Sequence, residues 1–236
     1  MNVKLTAGLL ILAAVLANVG FTALGSIFNY PDVLDEPAAR VLADFRDNQT
    51  AVSGWFTVLA LSAALFAPIA IGVGRLSSRR AMRIAVPIGI AAAVVQVVGL
   101  LRWPILVPGY AADAASGNAG VAAAARDSFG TASDILGTAI GETLGYLLTA
   151  TWTVLVIVAL GRRYAGRWLQ VLGVAAAVLV LAGVLSPLGL PVIDTANFLG
   201  YVLWSVWLIA LAVVILVHER RAGAVRTATS SAAVTT

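Results

Sequence analysis

Residues 134–160, DILGTAIGETLGYLLTATWTVLVIVAL, decide the fold. Their only charges, Asp134 and Glu142, lie near the start, and the following residues carry none. A bilayer core of ~30 Å is crossed by about 20 apolar residues in a helix that rises ~1.5 Å per residue. The stretch therefore predicts a membrane-spanning helix.

The same criterion selects five further stretches along the chain. The six predicted spans are residues 5–28, 51–74, 84–107, 134–160, 168–188 and 196–217. Of the 236 residues, 61% are hydrophobic and 11% are charged, whereas soluble domains have roughly 45–50% apolar and about 25% charged residues. This composition excludes a soluble globular protein and a disordered one. We predict an all-α membrane protein with one six-helix domain over residues 1–226 and a disordered tail over 227–236.

Basic residues collect at one end of the predicted bundle. This basic end holds eleven lysines and arginines and one acid, Glu219, while the opposite, acidic end holds ten acids and four arginines. Because cytoplasmic loops carry an excess of Lys and Arg, we predict that both termini are cytoplasmic. The basic clusters are short and lack interleaved aromatic residues, so we expect the lipid bilayer and no nucleic acid as partner. A homo-oligomer remains open. The bias toward arginine and alanine is typical of GC-rich bacterial genomes and favours a bacterial cytoplasmic membrane.

The loop after the first span predicts a short amphipathic helix on the outer surface. Asp35-Glu36-Pro37 is a favourable helix start, because proline suits the first helical turn. Val41, Leu42 and Phe45 then make one apolar face.

The spans pair into three hairpins of the same orientation, and the second and third hairpins resemble each other. At constant offsets the matched pairs are Gly89/Gly173, Gly99/Gly183, Tyr146/Tyr201 and Trp152/Trp207. Such spacing predicts a parallel internal repeat, unlike the inverted repeats of many transporters.

Two stripes run along the fourth span. Gly137, Gly141 and Gly145 repeat every four residues, which predicts close packing against a neighbouring helix. By contrast, we expect Gly173, in a peripheral fifth span, to have more room. The second stripe is polar and lies beside the glycines; its residues are Asp134, Thr138, Glu142, Tyr146, Thr149 and Thr153. Together with polar residues of the third and sixth spans, its outer half predicts a ligand pocket at the acidic end. The candidate pocket residues are Arg102, Asp134, Thr138, Glu142, Tyr146, Asn197 and Tyr201.

Arg102 and Glu142 share a depth in the membrane, ~28–30 Å from the basic end by helical rise. A charge within a span is energetically costly and usually has a partner inside the bundle. We therefore expect the two side chains to face one another above the pocket, either as a structural pair or as part of a site. Trp103 at this level is expected in the aromatic belt at the membrane interface.

Several kinds of chemistry are excluded by residue type. The chain has no cysteine and one histidine, His218, at the basic end, so it lacks thiolate metal sites and paired histidine ligands for haem. The basic end has a single acid for holding Mg²⁺. We assign no catalytic residue, metal or cofactor, and we favour a protein that is not an enzyme.

Four ordered motifs carry a family resemblance. They are Phe28-Asn29-Tyr30-Pro31-Asp32, Leu101-Arg102-Trp103-Pro104, Gly141-Glu142-Thr143-Leu144-Gly145-Tyr146 and Gly200-Tyr201-Val202-Leu203-Trp204. Over nearly its whole length the chain resembles a bacterial six-span membrane family classed as a domain of unknown function. The resemblance implies a six-helix fold and no established activity. A histidine often follows the glutamate in that family, where this chain has Thr143, which speaks against catalysis.

The outer-half polarity favours a protein that binds a small or lipid-like ligand in an outward-facing pocket. Three alternatives remain open: a small-solute transporter, an outer-facing membrane enzyme using Glu142 as acid or base, and a structural subunit that packs through the glycine face of the fourth span. Thr149 and Thr153 are the polar residues that would extend a path for transport.

Overall fold

The computed structural model describes the backbone of residues 2–234, and the side chains of this range except 163, 165, 191 and 222–234. Within this range every regular element is helical. In chain order the elements are α1 (Val3–Phe28), a 3-10 turn (Asp32–Asp35), α2 (Ala38–Asp47), α3 (Gln49–Ala64), α4 (Phe66–Gly74), α5 (Arg80–Ile105), α6 (Val107–Ala114), α7 (Ala119–Ala132), a π-helix (Ser133–Leu144), α8 (Gly145–Ala182), a second 3-10 turn (Gly183–Leu188) and α9 (Pro191–Val234).

Six helical segments are long and apolar enough to cross a membrane, so the predicted all-α, multi-pass architecture is confirmed. Spans one to six are Val3–Phe28, Gln49–Gly74, Arg80–Ala114, Ala119–Arg162, Gly166–Leu188 and Val192–Arg221. Spans three and four are longer than predicted, because α6 and α7 continue them beyond the apolar core.

Breaks in the spans have identifiable causes. Span two divides at Leu65 into α3 and α4. The cause is Pro68: it has no backbone N–H to donate to the Ala64 carbonyl, and in a continuous helix its ring would clash with that carbonyl. Spans four and five are separate helices within α8, because Gly161 and Gly166 have φ of 65° and 69°. This left-handed backbone is open to glycine without strain, and the two residues enclose the tight turn at the basic end.

Span four contains a π-helix of 12 residues, Ser133–Leu144, between α7 and α8. We predicted a regular helix beginning at residue 134. π-Helices usually occur as single turns, often at functional sites, so a run of this length is unusual. A four-residue spacing lies near one face of either helix type, which is why the glycine periodicity did not distinguish them.

Most of the buried apolar residues form two clusters. The cluster toward the basic end joins spans one to six around Trp152, Trp207 and Leu211. The cluster at the acidic end centres on Trp103, which is fully buried and whose ring lies 4.6 Å from that of Phe56 and 5.2 Å from that of Phe28. The predicted interfacial position of Trp103 is therefore wrong, because α2 and the adjoining loop cover this level of the bundle.

Helix α2 covers the acidic-end cluster with one apolar face. Val41, Leu42 and Phe45 are buried, while Arg40 and Asp44 form an exposed ion pair at 2.9 Å. At the other terminus, α9 continues as backbone helix to Val234; the disorder expected over residues 227–236 stays a prediction. Residues 235–236 lie outside the described residues.

Two tryptophans pack on two glycines in the same manner. A methyl group built on Gly89 would lie 2.7 Å from Trp152 Cδ1, and one built on Gly173 would lie 2.5 Å from Trp207 Nε1. The Trp207 indole also donates a hydrogen bond of 3.1 Å to the Leu169 carbonyl. The expectation that Gly173 has room for a larger side chain is therefore wrong.

Candidate functional site

The glycine stripe of span four lies against span three. A methyl group on Gly141 would lie 3.0 Å from Gly99 Cα, and one on Gly145 would lie 3.1 Å from Gln96 Cγ. A methyl group on Gly137 would lie 2.7 Å from Arg102 Cζ. The absence of side chains at these positions lets the backbones approach and leaves a notch that holds the arginine.

Arg102 occupies this notch as a buried cation, with 6% of its surface exposed. Its Nη1 donates a hydrogen bond of 2.6 Å to the Gly99 carbonyl, and its Cζ lies 5.4 Å from the centre of the Trp103 ring. Its Nε has no hydrogen-bond partner. The guanidinium is thus held by a carbonyl and an aromatic face of its own helix.

Glu142 is half-buried on the π-helix and lies within electrostatic range of Arg102 and Asp194. However, the ion pair identified among the described side chains joins Arg40 to Asp44, and Arg102 and Glu142 are not joined within 4.0 Å. The expectation that these two side chains face one another directly is therefore not met. Gly137 explains the difference, because it lets the guanidinium settle toward Gly99 instead of reaching the carboxylate.

Three tyrosines lie within electrostatic range of the Glu142 carboxylate. Tyr146 and Tyr201 lie with their ring centres 5.8 Å apart, and both lie within range of Glu142. Tyr30, from the loop after span one, stacks edge-on against Phe56 at 5.1 Å. Burial and the nearby Glu142 carboxylate raise the pKa of Tyr30 above its ordinary value, so its phenol stays protonated.

Below this level, hydrogen bonds between side chains connect spans three, four and six. Gln96 Nε2 donates to Thr149 Oγ1 at 3.0 Å, and Trp204 Nε1 donates to Thr153 Oγ1 at 2.9 Å. Both threonines are fully buried, and the Tyr201 hydroxyl lies beside Thr149. These contacts satisfy the polar groups internally and rigidify the floor of the site.

The remaining predicted residues are placed unequally. Asn197 is buried and donates from Nδ2 to the Val180 carbonyl at 2.8 Å, so its amide connects spans five and six. Thr138 is half-buried, and Asp134 is exposed near the start of the π-helix. The structure thus brings Glu142, Tyr146 and Tyr201 together and leaves Asp134 at the rim.

Two cavities lie away from this cluster. One of about 90 Å³ lies between α2, α6 and α7, and one of about 10 Å³ lies beside Trp207 and Leu211. Neither is lined by Arg102, Glu142 or the tyrosines. Among the described side chains, no group of three His, Asp or Glu residues converges to hold a metal ion.

Sequence reasoning missed Tyr30 and Gln96 as members of this region. Tyr30 belongs to a loop, and the sequence carries no periodic signal that would bring it to span four. Gln96 lies on a different face of span three from Arg102. Both nevertheless contact span four, because Gly145 lies against Gln96 and Gly137 lies against Arg102.

The chain matches the family described as "Domain of unknown function (DUF4386)" over residues 5–212. No curated protein and no solved structure matches it. Because the match covers most of its length, the chain belongs to this family, and the predicted resemblance is confirmed.

Proposed function

We propose that this member of the family binds a small amphiphile whose amine-bearing head is received by Glu142 at the acidic end. One observation carries the proposal: the Glu142 carboxylate lies half-buried in a membrane-spanning helix without a hydrogen bond or ion pair to a described residue. An ionised carboxylate in such a position needs a compensating partner. A ligand that donates hydrogen bonds supplies one.

The surrounding groups favour a cationic head. The rings of Tyr146 and Tyr201 lie 5.8 Å apart within range of Glu142, and aromatic rings attract ammonium groups through their quadrupoles. Asp194 adds a second negative charge within range of Glu142. Arg102 offsets part of the Glu142 charge at a distance, but its guanidinium is held against the Gly99 carbonyl and the Trp103 ring and does not pair with the carboxylate.

The surface around the cluster favours entry from the membrane. Glu142, Tyr146 and Tyr201 are each partly exposed, although they line neither described cavity. On span six, one helical turn before Tyr201, the Phe198 side chain is 57% exposed. An apolar tail would lie against this side chain while the head reaches the carboxylate. A lipid-like ligand therefore fits better than a small polar solute.

Passage across the membrane is less well supported than binding. Toward the basic end, the bundle is filled by buried apolar side chains that include Trp152, Trp207 and Leu211. The polar groups that continue inward from the site, Thr149 and Thr153, are already paired with Gln96 and Trp204. This arrangement favours a protein that binds its ligand within one half of the membrane over one that moves it across.

Three features of the architecture belong to the same proposal. Hairpins two and three are copies of one unit, which the paired contacts of Trp152 with Gly89 and of Trp207 with Gly173 support. Helix α2 lies on the outer membrane surface over the site. The site opens outward from a bacterial cytoplasmic membrane, with both termini in the cytoplasm, which the charge asymmetry supports.

Native mass spectrometry of the protein extracted in mild detergent tests the binding proposal. The wild type should retain a small amphiphilic adduct, and Glu142→Gln should lose it while remaining folded. Asp134→Asn is the matched control, because it neutralises an exposed acid on the same span and should keep the adduct. Equal occupancy in the wild type and Glu142→Gln would overturn the proposal.

A further inference from the structure

The cavity of about 90 Å³ at the acidic end has an unusual lining. It lies where α2 meets α6 and α7, and most of its wall is alanine and leucine, including Leu42 and Ala111. Two arginines from different helices, Arg46 and Arg126, complete it. An apolar recess flanked by two cations resembles a small anion site more than a packing defect.

Neither arginine has a protein partner within the described side chains. The acidic end carries four arginines. Arg40 pairs with Asp44 at 2.9 Å, and Arg102 donates to the Gly99 carbonyl at 2.6 Å. Arg46 and Arg126 form no ion pair or hydrogen bond there, although Asp47 and Asp127 are their immediate neighbours in sequence. The two unpaired arginines are therefore the two that line the cavity.

We propose that this cavity binds a phosphate group. Guanidinium forks give bidentate hydrogen bonds to phosphate oxygens, and two of them together match an anion with several acceptors. Roughly 10–15 Å³ of such volume holds one water molecule, so the cavity accommodates a group the size of several waters. The five other lining residues are alanine or leucine, so their side chains bring no competing acceptor.

A phosphate group reaches this position either as a free anion or as the headgroup of an anionic lipid. Basic pockets at a membrane surface recognise lipid headgroups through the same chemistry. The cavity is separate from Glu142, so this proposal does not depend on the amine site.

The test uses the full-length protein in a neutral detergent, titrated with inorganic phosphate and, separately, with short-chain phosphatidylglycerol, while the melting temperature is measured. At about ten times its Kd, a bound ligand should raise the melting temperature of the wild type by about 3–5 °C. Arg46→Gln and Arg126→Gln should each weaken the affinity by about tenfold or more. A response to phosphate alone means that the site binds a free anion. A response to the lipid alone means that it binds a lipid headgroup. Each of these outcomes supports the proposal, as does a response to both ligands.

Arg40→Gln is the matched control, because it removes an arginine from the same helix that does not line the cavity. It should respond as the wild type does. Phosphate also stabilises folded proteins nonspecifically, and that part of the shift will persist in every variant. Arg40 and Arg46 are exposed and Arg126 is half-buried, so the variants should melt close to the wild type without ligand. The proposal is overturned if neither ligand stabilises the wild type, or if the shift survives both Arg46→Gln and Arg126→Gln, or if Arg40→Gln reduces it equally.

Discussion

Gly99 of span three and Gly141 of span four meet backbone to backbone. A methyl group built on Gly99 would lie 2.6 Å from Gly141 Cα, closer than side-chain carbons approach one another. One turn away on either side, the same interface holds Arg102 over Gly137 and Gln96 over Gly145. This contact sets the position of the π-helix along span three, and therefore the position of Glu142, which follows Gly141.

Gly141→Ala should lower the free energy of unfolding by about 1–3 kcal/mol, because the added methyl group meets the Gly99 backbone, which cannot move aside. Gly137→Ala should be less harmful, because its methyl group meets the flexible end of Arg102. Thermal unfolding in detergent measures both.

Gly54→Ala is the control for this comparison, because nothing lies within 4 Å of a methyl group there. It should be neutral or stabilise the helix by up to about 1 kcal/mol. Equal losses in Gly141→Ala and Gly54→Ala would show that the Gly99–Gly141 contact does not hold spans three and four together.

The buried hydrogen bond between Gln96 and Thr149 should contribute measurably to stability. Thr149→Val keeps the shape of the side chain but leaves Gln96 Nε2 without its acceptor, so we expect a loss of about 1 kcal/mol. Thr151→Val is the matched control, since Thr151 is half-buried and bonds to the Leu147 carbonyl of its own helix. A loss in Thr151→Val as large as in Thr149→Val would contradict the assignment.

Arg102 and Glu142 should behave as separate groups in a double-mutant cycle of Arg102→Gln and Glu142→Gln. Because they are not in direct contact, the coupling should stay below ~1 kcal/mol. Arg102→Gln should account for most of the loss of stability, since it removes the charged hydrogen bond to the Gly99 carbonyl. A coupling of several kcal/mol would mean that the two charges pair directly after all.

The spans could be predicted closely from the sequence, because length and hydropathy determine them almost alone. The glycine stripe also identified a helix surface that packs tightly. What failed depends on three-dimensional arrangement. Trp103 looked interfacial by its depth, but α2 and Phe28 cover it. Gly173 looked peripheral, but the large Trp207 ring packs against it.

For the site, helical rise predicted one level for Arg102 and Glu142 and implied contact, whereas Arg102 lies over Gly137, about one turn from the Gly99–Gly141 contact beside Glu142. Which way a side chain turns at a given level depends on its neighbours, and here the notch at Gly137 directs the guanidinium toward Gly99. The π-helix could not be predicted from the periodicity of the sequence for a similar reason. Its register depends on the contact with span three, and the residues at that contact are spaced in a way that an α-helix would also allow.

The orientation of the bundle can be tested in this cysteine-free chain. A cysteine at Asp47 should react with an impermeant maleimide in intact cells, whereas one at Ser78 should react only after the cells are opened. Both positions are exposed, so accessibility does not bias the comparison. The reverse pattern would place the basic end outside.

The measurement that tests the central claim most directly is the melting temperature of the purified protein during titration with decylamine and with decanol, which has the same chain length. If Glu142 receives an amine head, decylamine at about ten times its Kd should raise the melting temperature of the wild type and of Asp134→Asn by about 3–5 °C. Decanol should have little effect, and Glu142→Gln should lose the response to the amine. An equal response to the two compounds, or a decylamine shift that persists in Glu142→Gln, would contradict the account.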